Sequence, residues 1–94
     1  MKEANEMKDL VKYLTCSAEL EKKKEELSKV SAELKNVDSA VDMLEESNLK
    51  DLDIAKSLYK YWDALNKKEK TLQYAVAKLE LEIAKFELEQ AYAE

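Results

Sequence analysis

Neither glycine nor proline occurs anywhere in the 94 residues of this chain. Glycine supplies the positive φ of tight turns, and proline presets the first dihedral of many others. A chain lacking both has few easy ways to reverse direction, so it must consist of long segments with few breaks. Lys, Glu, Leu and Ala dominate those segments, the composition of long helices and coiled coils.

The apolar residues recur at helical spacing. In the first arm, Leu27, Val30, Leu34, Val37, Val41 and Leu44 alternate by three and four. Running that frame back gives Leu20, Cys16 and Tyr13, with Lys23 as a polar gap. Further upstream, Met7, Leu10, Leu14 and Ala18 sit about one residue out of phase. A straight helix drifts against a strict heptad, so the sequence is consistent with a face that rotates there.

The best break is Glu45-Glu46-Ser47-Asn48-Leu49-Lys50-Asp51. Ser and Asn disfavour helix interiors and favour N-caps. Asn48 with Asp51 three residues on resembles a capping box, and Asp51 and Asp53 suit the positive end of a new helix. The expected architecture is an all-α, long antiparallel helical hairpin of coiled-coil type. It is a single domain over 1–94, with helix 1 over about 3–46, a turn over about 47–51 and helix 2 over about 52–92. Two alternatives remain. The frame continues in phase across the break, so one unbroken coiled coil with Asn48 in its seam is a rival. A further split near Thr15 to Ser17 gives a three-helix bundle.

The second arm reads Ala55, Leu58, Trp62, Leu65, Glu69, Leu72, Val76, Leu79, Ile83, Phe86, Gln90 and Ala93 in the seam frame. Its last third carries a second stripe on nearly the opposite face: Tyr74, Ala77, Leu81, Ala84, Leu88 and Ala91. The segment Leu79 to Ile83 alternates like a strand, but both helical stripes run through it and no turn residue bounds it. A helix in a simple hairpin needs one apolar stripe. The second therefore predicts another helix against it. A two-helix core barely offsets an ordering cost of about 1.5 kcal/mol per residue, and a wet apolar face invites association. Both arguments favour a homodimer forming a four-helix bundle.

Catalysis finds little support. The chain has no His to serve as a base near neutral pH, and its 16 basic residues are all Lys, so it lacks the bidentate fork of Arg. Chorismate mutases are helical enzymes of this size, but they hold a dianionic substrate through several Arg residues. Carboxylates are plentiful without motif: Glu-x-x-His is impossible, and Asp51-Leu52-Asp53 lacks the glycine of a calcium loop. No cofactor or metal is expected. A net charge of −5 with interspersed signs argues against nucleic acid. The run Glu19 to Glu26 reads as a solvated face laced by pairs such as Glu19 with Lys23. Cys16 cannot form an internal disulfide, and its seam position suggests a structural thiol, with an intersubunit disulfide or reactive thiol as the alternative.

Tyr59, Tyr61 and Trp62 form the aromatic cluster. They read as core filler or, for Tyr59 and Trp62, as interface anchors. The candidate partner-interface residues are thus Tyr59, Trp62, Tyr74, Ala77, Leu81, Ala84, Leu88 and Ala91.

No run of about 18 apolar residues exists, so no membrane span is expected. The N-terminus lacks the apolar core of a signal peptide, which makes the cytoplasm the expected location, with export lacking a cleaved signal as an alternative. In length and hairpin form the chain resembles the WXG100 class of type VII secretion proteins. Their Trp-x-Gly turn is missing: Trp62 lies inside the second arm and precedes Asp63 and Ala64. Tyr59-x-x-x-Asp63 has the spacing of the class's export signal, away from the C-terminal place it belongs. Prefoldin subunits are similar in composition but carry a strand-forming middle absent here. No family is assigned on these likenesses.

The expected function is a non-enzymatic interaction module, serving as scaffold, adaptor or chaperone. One alternative is a secreted helical hairpin or its targeting partner in a type VII-like system. Another is a small acidic virus-encoded inhibitor that occupies a basic groove.

Overall fold

The computed structural model describes the backbone of residues 2–49 and 51–93 and the side chains of 6–49 and 51–92. Two helices account for it: α1, Lys2–Glu46, and α2, Asp53–Ala93. They run antiparallel, as cross-helix contacts show. Ser31 meets Glu69, Asp38 meets Trp62, and Tyr13 meets Glu87. The chain is a helical hairpin 68 Å long and 18 × 14 Å across. Its radius of gyration is 20.5 Å, against about 12 Å for a compact globule of this length.

The three-four frame becomes the interface between the helices. Leu20, Val30, Leu34, Val37 and Val41 of α1 are buried against Ala55, Leu65, Leu72 and Val76 of α2. Leu27, Leu58, Tyr59 and Trp62 pack on this core from its edges. Polar gaps in the seam are accommodated individually. The Ser31 hydroxyl donates to the Glu69 carboxylate at 2.8 Å. Lys23 is half-buried, and its ammonium reaches Glu26 at 3.8 Å. A lysine stem can cover apolar surface while its head stays wet.

The reversal is built by residues 47–52. Asn48 adopts φ 59°, the left-handed conformation that ends many helices. The Leu49 amide donates to the Leu44 carbonyl at 3.2 Å, the six-to-one bond of a Schellman motif. A single Asn thus performs the turn that glycine usually makes. This corrects the expectation of a capping box: Asn48 closes α1 rather than opening α2. The Leu52 carbonyl instead accepts the first α-helical bond of α2, from Lys56 at 3.2 Å. Asp53 lies in the first turn, where a carboxylate favours the dipole.

Two alternatives are thereby set aside. Helix α1 runs unbroken through Thr15 to Ser17, so the described residues form no third helix. The left-handed Asn48 breaks a continuous coiled coil. The out-of-phase residues upstream do not rotate into the seam either. Met7, Leu10, Val11 and Leu14 are each at least half exposed, while Tyr13 and Cys16 keep the seam positions.

Candidate functional site

The outward stripe on α2 is arranged as its spacing requires. Residues 74, 81 and 88 differ by seven, close to two helical turns, so they stack on one face. Tyr74, Leu81 and Leu88 are 71%, 56% and 57% exposed. Ala77, Ala84 and Ala91 interleave with them and are also exposed. On the other side of the same helix, Leu72 and Val76 are buried, and Leu79, Ile83 and Phe86 are half-buried against α1. Tyr92, also exposed, extends the outward face by another turn.

Tyr59 and Trp62 stand elsewhere. Both are half-buried and pack on the core between the helices. The Trp62 indole N–H donates to Asp38, and the Tyr59 hydroxyl donates to Glu45 at 3.4 Å. Desolvation, with the Glu45 charge and hydrogen bond adding to it, raises the Tyr59 phenol above its ordinary range. Trp62 is twelve residues from Tyr74, about 18 Å along the helix. The structure therefore brings together six of the eight candidate residues, Tyr74 to Ala91, and sets Tyr59 and Trp62 apart, on the inner face.

Two further groups join the exposed apolar surface. Met7, Leu10, Val11 and Leu14 of α1 lie at the open end, the end that also holds Leu81 and Leu88. At the turn end, Met43, Leu49, Leu52 and Ile54 are exposed. Both groups are visible in the sequence as apolar residues off the seam phase. A phase offset of one residue turns a side chain by about 100°, a little over a quarter turn, which takes it out of the seam.

The open end is closed by one aromatic contact. Tyr13 stacks on Phe86 with ring centroids 4.7 Å apart and planes 21° from parallel. Lys12 and Glu82 form an ion pair at 3.8 Å beside it, and half-buried Cys16 lines the same notch of about 110 Å³. Among the described residues, no polar or charged side chain is buried. No group of three or more acidic, His or Cys side chains there could hold a metal ion. No described helix is long and apolar enough to cross a membrane. The chain matches no protein-family model, no curated protein and no solved structure.

Proposed function

We propose that this chain is a non-enzymatic interaction module that acts by helix packing, in the role of scaffold, adaptor or chaperone. Its hairpins pair through the outward stripe of α2 into a dimeric, coiled-coil-like four-helix bundle. The observation that carries this reading is the exposure of Leu81 and Leu88, 56% and 57%, on a helix whose other face is already filled.

The charges beside the stripe favour a second copy of the chain as the occupant. Lys78 and Lys85 flank it on one side, Glu80 and Glu87 on the other, and all four are exposed. Taking Tyr74, Leu81 and Leu88 as one core position and the alanines as the other, the lysines fall at e and the glutamates at g. In a parallel pair of helices, each g residue meets the e residue five positions on in its partner. Glu80 then faces Lys85 of the second copy, and the twofold axis repeats the pair. The alanine layers let the two backbones approach closely. In an antiparallel pair, like charges face each other instead.

Light scattering on the eluting protein tests this directly. The expected mass is twice 10.9 kDa at micromolar concentration, and Leu81→Glu with Leu88→Glu is expected to return the monomer. A monodisperse monomer for the unaltered chain overturns the reading. Orientation is tested by Leu88→Cys in a Cys16→Ser background. Parallel helices place the two thiols together and yield an oxidised dimer; antiparallel helices do not.

A further inference from the structure

The turn end of the hairpin carries an apolar surface of a different kind. Between the last turn of α1 and the first turns of α2 lies a concavity of about 480 Å³. Ala40, Met43 and Leu44 form one wall, Ile54 and Leu58 the other, and Leu49 closes the end. Met43 and Ile54 are 67% and 74% exposed. The groove follows the seam frame to its end: Leu44 and Leu58 are seam residues, both half-buried, that line it together.

The surroundings of this groove are acidic. Residues 40–58, the span that lines the groove, hold five carboxylates, Asp42, Glu45, Glu46, Asp51 and Asp53, against Lys50 and Lys56, a net −3 of the chain's −5. No ion pair among the described residues engages these carboxylates. Glu45 and Glu46 also occupy the last turn of α1, which has no basic residue. That is the negative end of the helix dipole, where a carboxylate is unfavourable and a cation favourable.

We propose that this groove receives an amphipathic helix of another protein, apolar side chains inward and Lys or Arg along its flanks. The apolar walls call for apolar anchors, and the acidic rim with its uncompensated helix end calls for cations. The helical form follows from backbone hydrogen bonding. The groove walls are the sides of helices whose amides are already paired internally, so they offer no free edge to an extended strand. An inserted helix satisfies its own backbone; a strand leaves its polar groups unpaired against apolar walls. The rim also selects against other occupants. A second copy brings the same negative charge to the contact, and an anionic bilayer repels it. Leu58, the last α2 residue of the groove, lies sixteen residues before Tyr74, the first of the outward stripe, about 24 Å along the helix, so this inference stands apart from self-association.

The test uses the full chain and a fluorescent synthetic helix of Leu and Lys in heptad register, with binding read by anisotropy. A peptide with the same leucines and Glu in place of Lys is the charge control. The Leu–Lys helix is expected to bind, the Leu–Glu helix not, and added salt to weaken the complex. Met43→Ser with Ile54→Ser is expected to weaken binding by at least about tenfold, equivalent to about 1.4 kcal/mol. Both residues are exposed, so the hairpin is retained, and a melting curve checks that. Glu46→Lys with Asp51→Lys is expected to weaken binding without touching the groove floor. Leu81→Glu with Leu88→Glu is expected to leave it unchanged, which separates this result from the dimer test. No binding of the Leu–Lys helix overturns the proposal. So does equal binding of the Leu–Glu helix, unchanged binding by the Met43 and Ile54 variant, or a preference for vesicles of anionic lipid.

Discussion

Tyr13 of α1 and Phe86 of α2 stack face to face, ring centroids 4.7 Å apart, near the free ends of the hairpin. The buried residues lie from Leu20 to Val41 on α1 and from Ala55 to Val76 on α2. The stack therefore holds a stretch where apolar contact is otherwise thin. Phe86 is half-buried, so Phe86→Ala should cost less than a fully buried ring, about 1–3 kcal/mol. Hydrogen exchange should show the loss confined to the open end. Tyr13→Phe removes only the exposed 3.3 Å hydrogen bond to Glu87 and should change stability by less than about 0.5 kcal/mol.

Asn48 is the one described residue with positive φ. A Cβ at that dihedral is strained, and Asn tolerates it better than most residues. Asn48→Gly should stabilise the hairpin or leave it unchanged, while Asn48→Ala should destabilise it by about 1 kcal/mol. Urea denaturation monitored by circular dichroism gives both values. A destabilised Asn48→Gly protein would mean that the side chain, not the backbone dihedral, holds the turn.

The hairpin is legible in the sequence because its seam repeats at a fixed interval. Val30, Leu34, Val37 and Val41 are read from spacing alone and are buried in the structure. The reversal is legible as a place but not as a mechanism. A short polar run marks it, yet Asn can cap either end of a helix, and only the backbone dihedral tells which. Tyr59 and Trp62 show the other limit. Aromatic type gives no direction, and the frame that placed Trp62 in the seam was the better guide to its inward position. The stripe from Tyr74 to Ala91 is legible as a second face, since its interval of seven persists. What covers it is a property of another surface, which this chain's periodicity does not encode.

Ser31 and Glu69 form the hydrogen-bonded polar step in the seam. Ser31→Ala leaves the half-buried Glu69 carboxylate to the solvent edge and should cost about 1 kcal/mol. Replacing both partners, Ser31→Ala with Glu69→Leu, should be neutral or stabilising, because no polar group is then left unpaired. A thermal melt of the two single variants and the double gives the coupling. A double variant less stable than Ser31→Ala alone would show that Glu69 does more than answer Ser31.

Helix α2 begins on a residue poorly suited to the position. Leu52 supplies the carbonyl that accepts from Lys56, which makes it the N-cap, yet its side chain has no acceptor for the free amides of the first turn. Asp and Ser lead the preference at that place, and leucine ranks near the bottom. Leu52 is also 49% exposed, so its replacement removes little packing. Leu52→Asp should therefore stabilise the hairpin by about 0.5–2 kcal/mol, and Leu52→Ala should stay within about 0.5 kcal/mol of the parent. The gain should appear as slower hydrogen exchange at the amide of Ile54, since that of Ala55 already donates to the Leu52 carbonyl at 3.0 Å. Equal stability of the Asp and Ala variants would place the start of α2 elsewhere than Leu52.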